Sequence, residues 1–544
     1  TAQMVSDLTD EDIWRLNRGG HDQQKVYAAY HEAIKNSGKP VVILAKTVKG
    51  YGMGNSGESA NPAHQVKKLD LDSLKNFRDR FGLPLSDDDL SNLTYYRPDQ
   101  NSPEIKYLIK HRQVLGGFMP LRRPVTDALE IPSLDKFKQQ LKGTGDRKIS
   151  TTMAFVRILA SLVKDKIIGQ RVVPIVPDEA RTFGMEGMFR QLGIYTTEGQ
   201  KYVPHDDDQV LSYREDQAGQ ILEEGINESG AFSAWIAVAS SYANNREPLI
   251  PFYIFYSMFG FQRIGDLAWA AGDIQAKGFL LGATAGRTTL NGEGLQHQDG
   301  HSHLLAATIP NCRAYDPAYS YELAVILQHG LEAMYARDER VFYYITLMNE
   351  NYTHPDMPKG IWSDIIAGLY KISGTSGTKK YKVRLLGSGA ILREVQASVK
   401  LLADLDIDAE VYSATSFNEL QRDGQACDRY NLLHPLSKRK VSQVERILGA
   451  ESSPIIAATD YIKQYAEQIR PFLRSTNYIT LGTDGFGRSD SRSKLRAHFE
   501  VDSRFITLSA VSALAQDGVL PMEEVSKTMQ ILGINPDSPD PVKI

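Results

Sequence analysis

The stretch Ile221-Leu-Glu-Glu-Gly-Ile-Asn-Glu-Ser-Gly230 places one acid, Glu228, at a glycine-bounded junction between a strand and a helix. The residues that follow, 231–241, are small and apolar, which predicts a buried helix whose backbone approaches a neighbour closely. A carboxylate at the start of that helix would be poorly hydrated. Such a group suits a proton donor or a strong hydrogen-bond partner for a heterocycle nitrogen. The alternative is an acid that only complements the dipole of the helix.

The composition is that of an ordinary globular protein. The chain has 544 residues, room for about three domains of typical size. Its net charge of −4 gives no global field that attracts nucleic acid or an anionic membrane, so small molecules or proteins are the expected partners. Two cysteines, Cys312 and Cys427, are too few for a disulfide framework or a thiolate metal site, and they fit a reducing cytoplasm.

The sequence predicts neither a membrane span nor a signal peptide. No apolar run is long enough to span a bilayer. The first residues contain no basic region followed by an apolar core, so no signal peptide is predicted. The sequence begins with Thr1 rather than Met, and we therefore expect an interior fragment of a longer protein.

The first 64 residues predict a helix, a strand and a long loop. Residues 22–36 place apolar side chains on one helical face, and Val41-Val-Ile-Leu-Ala45 is typical of a buried parallel strand. The glycine-rich loop 46–64 follows and should be mobile. Loops that leave the ends of parallel strands often carry function, and this one contains Lys49, Glu58 and His64. A solvated loop with an inert histidine is the alternative.

Residues 69–135 are polar and proline-rich, which predicts an interdomain linker. In the domain beyond it, Ser150 and its neighbours cap a helix. The predicted strand 171–177 ends directly at Asp178 and Glu179. Because ligands bind at the carboxyl ends of parallel strands, these acids are candidates for a site.

Two further strands, 249–256 and 278–282, lead into an aromatic segment and a histidine-rich loop. Aromatic residues such as those in 256–263 more often belong to a core than to a cofactor site. In the loop 288–303, a zinc site formed by three histidines and an acid is the first suspicion. The spacing does not fit a helix, and titrating imidazoles that handle protons explain the loop as well. The residues concerned are His297, Asp299, His301 and His303.

The C-terminal part begins near residues 351–360 and predicts four more strands. Residues 382–392 form a strand–turn–helix unit whose Gly387-Ser-Gly389 is half of a dinucleotide fingerprint. Leu392 stands where the third glycine belongs, so nucleotide binding there is disfavoured. The other strands are predicted at 409–412, 454–458 and 478–481.

Taken together, these motifs resemble those of the homodimeric bacterial pyruvate dehydrogenase E1 components over essentially the whole chain. The stretches that carry the resemblance are 18–22, 46–54, 178–187, 224–228, the histidine loop and 482–488. The resemblance implies an α/β protein with three doubly wound, mostly parallel sheets of the transketolase-like type, the first one truncated. The implied domains are 1–130 (the end of a diphosphate-binding domain plus linker), 131–355 (a pyrimidine-binding domain) and 356–544 (a C-terminal domain).

The resemblance also implies a cofactor, thiamin diphosphate, and roles for individual residues. Glu228 looks like the acid that hydrogen-bonds the aminopyrimidine ring, and Phe259 resembles the ring stacked on it. Tyr256, His297 and Glu293 resemble groups around the substrate, and Lys49 offers a cation to the pyruvate carboxylate. Glu58 and His64 resemble a closing loop that meets lipoyl groups of the dihydrolipoyl acetyltransferase (E2). Asp178 and Glu179 resemble active-centre acids without an assigned role.

One motif of the family is absent from these residues: the Gly-Asp-Gly…Asn motif whose oxygens ligate Mg²⁺ and the diphosphate. We therefore expect the metal ligands in an N-terminal part outside this sequence, and an isolated chain without activity. The rival interpretations are a related 2-oxo-acid dehydrogenase, a transketolase, and a non-catalytic subunit that kept the fold.

Overall fold

Two largely parallel sheets, of six and five strands, carry most of this fold. The structure is a computed structural model that describes residues 2–15, 19–36, 38–118, 127–178, 180–209, 211–374, 377–449, 451–473 and 477–544. The chain divides into two compact units, Thr1–Met119 and Pro120–Ile544. Within the described ranges, only the second unit contains strands.

The described part of the first unit is helical. Its helices are α1 (Asp10–Arg15), α2 (Gln23–Lys35), α3 (Leu71–Phe81), α4 (Asp87–Ser91) and α5 (Pro103–Val114). The predicted helix 22–36 is confirmed as α2, with Asp22 as its N-cap. The predicted strand Val41–Ala45 is wrong: these residues form no strand, and Leu44 is 92% exposed. A strand needs a hydrogen-bonded neighbour, and the described residues of this unit supply none.

The prediction that 69–135 is a linker is also wrong in part, because three of the helices lie in it. Asp70, Ser86 and Ser102 each cap one of them by accepting a hydrogen bond from a backbone N–H. The helices are polar because most of their surface faces solvent, so their composition resembles that of a linker. The Pro120–Pro124 segment lies outside the described residues.

The six-stranded sheet is parallel throughout, in the order β4-β1-β5-β6-β8-β7. Its strands, with the separate pair β2 and β3, are β1 (Val172–Val176), β2 (Ile194–Tyr195), β3 (Glu215–Asp216), β4 (Leu222–Glu223), β5 (Ile250–Tyr256), β6 (Phe279–Ala283), β7 (Cys312–Tyr315) and β8 (Phe342–Thr346). The predicted strands at 171–177, 249–256 and 278–282 are confirmed. Their continuous apolar runs are typical of strands buried on both faces.

The helices of this part are α6 (Lys138–Leu141), α7 (Thr151–Leu162), α8 (Phe189–Leu192), α9 (Glu228–Ala239), α10 (Ser241–Asn244), α11 (Gly260–Asp273), α12 (Ser302–Ala307) and α13 (Ser320–Leu331). Because β4, β5 and β6 are parallel and lie near one another in the sheet, the segments after them emerge at one edge. That edge carries the start of α9, the start of α11 and the histidine loop.

The five-stranded sheet has the order β13-β12-β10-β11-β9, with β9 antiparallel to its neighbour. Its strands are β9 (Leu369–Ser373), β10 (Tyr381–Gly387), β11 (Ile407–Ala414), β12 (Ile455–Ala458) and β13 (Tyr478–Leu481). The helices are α14 (Trp362–Ala367), α15 (Leu392–Asp404), α16 (Phe417–Leu433), α17 (Gln443–Leu448), α18 (Lys463–Glu467), α19 (Arg492–His498), α20 (Ser503–Gln516) and α21 (Met522–Ile531). All four strands predicted in this region are confirmed.

Gly389 belongs to the packing between the two sheets. It has a φ of +49°, and a Cβ there would lie 2.2 Å from Met348 Cε and 2.7 Å from Asp316 Oδ2. The glycine therefore allows a close approach inside the protein rather than to a nucleotide. No helix in the described part of the chain is both long and apolar enough to cross a bilayer.

Candidate active site

Glu228 opens α9 and is 8% exposed. Asn227 caps the helix, because its Oδ1 accepts a hydrogen bond from Gly230 N at 3.0 Å. Arg263 Nη1 donates to Glu228 Oε1 at 2.6 Å. Among the described residues, Oε2 of the same carboxylate has no hydrogen-bond partner. The buried acid is therefore a paired carboxylate with one oxygen available to a ligand.

Arg263 is a residue that the sequence analysis missed. Its guanidinium carbon also lies 4.1 Å from the centroid of the Phe259 ring, a cation–π contact. Phe259 precedes α11 and Arg263 lies four residues later, so the two meet on one helical face. The four-residue spacing of Phe259 and Arg263 can be seen in the sequence. The pairing of Arg263 with Glu228, which lies on another helix, cannot.

Three rings gather beside this pair. The His297 ring centroid is 5.3 Å from that of Tyr256 and 4.9 Å from that of Phe259, both edge-on. Neither ring nitrogen of His297 has a hydrogen-bond partner among the described residues, and Nδ1 is buried. The structure thus brings together four of the predicted residues: Glu228, Tyr256, Phe259 and His297.

The other two histidines of the loop face different surroundings. His301 Nε2 lies 3.0 Å from the Gln262 amide nitrogen. His303 is fully buried, with Nε2 3.0 Å from Thr346 Oγ1, and its burial lowers the imidazole pKa to about 3. In the described ranges no three His, Cys, Asp or Glu side chains converge as a metal site. These contacts favour separate roles over a shared zinc ion.

Glu293 and Asp178 are exposed, and neither joins the cluster of rings. Glu179 lies outside the described residues. Asp178 lines a cavity of about 510 Å³ together with Arg181, Tyr213 and Glu223. Burial raises the pKa of Glu223 to about 7, against the lowering effect of the adjacent Tyr213 hydroxyl. Glu223 lies in the stretch Ile221–Gly230, on β4, and was not among the predicted site residues.

Lys49, Glu58 and His64 lie in the first unit. Lys49 and His64 are exposed, and His64 ends a short 3₁₀ helix, Asn61–His64. The Glu58 carboxylate holds its loop together, because it accepts hydrogen bonds from Arg80 Nη1 at 2.5 Å and from Gly52 N at 3.1 Å. The hydrogen bonds from Arg80 hold the pKa of Glu58 below its usual range. Arg80, from α3, was not predicted as a partner.

The histidine loop is held by the loop 482–492 that follows β13. Arg287 Nη1 donates to Gly485 O at 2.6 Å, and Arg492 Nε donates to Thr289 O at 2.7 Å. Ile462 N donates to Gly300 O at 2.8 Å. Residues 482–488 of the C-terminal part, the Gly-Thr-Asp-Gly-Phe-Gly-Arg motif, therefore help to hold in place the candidate site at the edge of the six-stranded sheet.

Two family profiles match the chain. The one described as pyruvate dehydrogenase E1 component middle domain covers residues 129–355. The one described as transketolase-like C-terminal domain covers residues 368–502. Solved transketolases from Leishmania mexicana and Campylobacter jejuni share the fold, with TM-scores of 0.63 and 0.61 at 17% identity. They are matched over 92% and 90% of this chain, which spans 66% of each of them.

Relatives named pyruvate dehydrogenase E1 component match nearly all of the chain. The Pseudomonas aeruginosa protein is 60% identical over 541 residues, and the Escherichia coli K12 protein is 53% identical over 544 residues. Each alignment covers 99% of this chain, which spans 61% of the length of each relative. These identities and the transketolase-like fold agree with the resemblance inferred from the sequence. The chain belongs to the family of the pyruvate dehydrogenase E1 components.

Proposed function

We propose that the protein carrying this chain is the E1 component of a pyruvate dehydrogenase complex. It catalyses the thiamin diphosphate-dependent oxidative decarboxylation of pyruvate and passes the acetyl group to a lipoyl group of E2. The observation that carries the proposal is the buried, Arg-paired Glu228 beside Phe259 and His297, in a chain 53% and 60% identical to two E1 components.

The residues present fit the pyrimidine end of thiamin diphosphate. Glu228 Oε2 has no partner in the described part of the chain, and the carboxylate is poorly exposed, so it can hold a proton against a ring nitrogen. Phe259 supplies an aromatic surface of the kind on which a heterocycle stacks. When bound, the cofactor supplies a thiazolium carbon that acts as a nucleophile toward 2-oxo acids.

The substrate side is assigned to Tyr256, His297 and Lys49, with Glu293 as a further polar group. His297 has ring nitrogens without partners in the described residues, so it can move a proton at a substrate oxygen. Lys49 orients the pyruvate carboxylate by its positive charge. Asp178 and Glu179 remain candidate acids of the same centre without an assigned step.

Transfer to E2 is assigned to the loop that carries Glu58 and His64. Both residues belong to a segment folded on itself through the Glu58–Arg80 ion pair, and His64 is exposed. An exposed histidine on a loop is accessible to a lipoyl group carried by another protein.

A second copy of the chain and Mg²⁺ complete the proposal. Ile226, two residues before Glu228, is 74% exposed, and Trp269 of α11 is 55% exposed; both are apolar surface of the kind that subunit interfaces cover. Mg²⁺ requires oxygen ligands. The sequence lacks the Gly-Asp-Gly…Asn motif that supplies them in the family, and no three His, Cys, Asp or Glu side chains of the described residues come together as a metal site. We therefore infer that the 544 residues alone do not decarboxylate pyruvate.

The proposed location is the cytoplasm. Two free, buried cysteines fit its reducing environment.

A substrate panel tests this function in the natural protein that contains the chain. Pyruvate, 2-oxobutyrate, 2-oxoglutarate and xylulose 5-phosphate are supplied with thiamin diphosphate, Mg²⁺ and an artificial electron acceptor. The proposal expects the highest kcat/KM for pyruvate and no reaction of the sugar phosphate. Preference for 2-oxoglutarate or for xylulose 5-phosphate would assign the protein to another member of the superfamily.

A further inference from the structure

Gln298 forms a buried link between the two sheets at the candidate site. It is 1% exposed. Its Nε2 donates to Leu290 O at 2.7 Å, and its Oε1 accepts from Arg488 N at 2.7 Å. Leu290 belongs to the histidine loop and Arg488 to the loop after β13. The Gln298 side-chain amide therefore forms a hydrogen bond within the histidine loop and a second one that joins this loop to the C-terminal part.

The residue next to Gln298 is His297, whose imidazole has no hydrogen bond to orient it within the described residues. Besides its edge-on contacts with Tyr256 and Phe259, the ring takes its orientation from the turn that carries it, the 3₁₀ segment Leu295–His297. That turn is closed by His297 N donating to Gly294 O at 3.2 Å and Gln298 N donating to Leu295 O at 3.3 Å. These bonds are longer than the two side-chain bonds of Gln298, both 2.7 Å, so the Gln298 side chain is the stronger restraint.

Gly487 provides a second, independent sign of this restraint. A Cβ at residue 487 would lie 2.6 Å from Gln298 Oε1 and 2.6 Å from Leu295 O. The loop after β13 therefore presses its backbone directly against the turn that carries His297. A side chain at this position would push the two apart.

We propose that Gln298 is a positioning residue that sets the orientation of His297, and that the loop 482–492 acts on the reaction through it. This inference rests on the proposed function, in which His297 moves a proton at the substrate. The second sheet thereby contributes to the reaction without touching the substrate. Misplacement of a catalytic group by about 1 Å can cost on the order of 10²-fold in rate.

A double-mutant cycle in the natural protein tests the proposal. Gln298→Ala should lower kcat/KM for pyruvate by about tenfold or more when His297 is present, and by less than about twofold in the His297→Ala background. The reason is that Gln298 acts only through His297. Equal losses in both backgrounds would overturn the proposal.

Gln468→Ala is the matched control. Gln468 is also buried, at 6% exposure, and its Nε2 donates to Asn418 Oδ1 and Tyr465 O, both at 2.9 Å. Its loss should lower the melting temperature to a similar degree, and any rate change should be the same in both backgrounds. A Gln468→Ala loss that disappears in the His297→Ala background would show that general destabilisation explains the coupling.

Crystal structures of Gln298→Ala and Gly487→Ala give a readout that does not depend on activity. Both variants should rotate or shift the His297 ring away from Tyr256 and Phe259. An unmoved ring in both would overturn the positioning role even if the protein decarboxylates pyruvate. A moved ring in a protein without that activity would instead contradict the proposed function alone.

Discussion

Arg263 and Glu228 form an ion pair in which Nη1 lies 2.6 Å from Oε1, and the arginine joins the start of α11 to the start of α9. The pair commits one carboxylate oxygen and leaves the other without a partner in the described residues. The Arg263 side chain is 48% exposed, whereas that of Glu228 is 10% exposed. We therefore assign the proposed role in the reaction to the buried Glu228, and Arg263 holds the Glu228 carboxylate in place.

The first prediction concerns Glu228. In the natural protein, Glu228→Ala should reduce kcat for pyruvate by roughly 10²–10⁴-fold, because the group that holds the proton against the cofactor ring is lost. Glu224→Gln removes an exposed acid of the same segment and should leave kcat within about twofold, as expected for an acid outside the proton transfer. Steady-state rates and a thermal melt of both variants make the comparison. Wild-type turnover by Glu228→Ala would remove the assignment.

A second prediction separates the two half-reactions. His64→Ala should impair reductive acetylation of lipoyl-E2 far more than pyruvate decarboxylation with an artificial acceptor, because His64 lies on an exposed loop segment. His31→Ala, another exposed histidine of the first unit, serves as the control. If His64→Ala lowers both rates equally, the residue serves the cofactor or pyruvate instead of E2.

The third prediction concerns zinc. His301 contacts Gln262, and His303 is buried against Thr346, so the two imidazoles are engaged separately. Purified protein should therefore contain far less than stoichiometric zinc by elemental analysis. Tightly held zinc at one ion per chain, lost on His301→Ala, would reverse the interpretation of this loop as a proton-handling site.

A fourth prediction uses pH. Asp316 is fully buried, and burial raises its pKa to about 7 from 3.8, although Thr346 Oγ1 donates to Oδ1 at 2.7 Å. Because the folded protein binds this proton more tightly, the stability it contributes is fully present below about pH 4 and is lost as pH rises through about 7. Asp316→Asn should therefore gain stability relative to the wild type between pH 4 and pH 8.

Urea unfolding of the wild type and Asp316→Asn at intervals across that range measures the difference. Asp404→Asn, at the exposed last residue of α15, should show no such trend. A stability difference between wild type and Asp316→Asn that is constant with pH would mean that Asp316 keeps its ordinary pKa.

Seven strands of the two sheets could be predicted because they are continuous apolar runs bounded by turns: β1, β5, β6, β10, β11, β12 and β13. The strands β7, β8 and β9 were not predicted. The predicted strand at Val41–Ala45 does not form, because the same apolar pattern becomes a strand only where a neighbouring strand is present. The family resemblance implied that Glu228, Tyr256 and Phe259 belong to one site, and the structure places the segments that carry them at one edge of a parallel sheet. Arg263 and Gln298 contact elements that are distant in sequence, so no local sequence pattern predicts their roles.

The assignment of roles by family resemblance has a similar limit. Long motifs are specific, and they led to the E1 components that the comparisons also match. The motif at 482–488 was recognised without a role. Its contacts with the histidine loop and with Arg287 just before it are formed by backbone groups, such as Arg488 N and Gly485 O. Every residue type has these groups, so the sequence does not reveal such contacts.

The most direct measurement of the central claim is pyruvate decarboxylation by the natural protein, freed of cofactor and assayed with and without added thiamin diphosphate and Mg²⁺. The wild type should turn over pyruvate only when both are added, and Glu228→Ala should stay inactive at saturating cofactor. Turnover without thiamin diphosphate, or no turnover of pyruvate by the fully supplied wild type, would contradict the account.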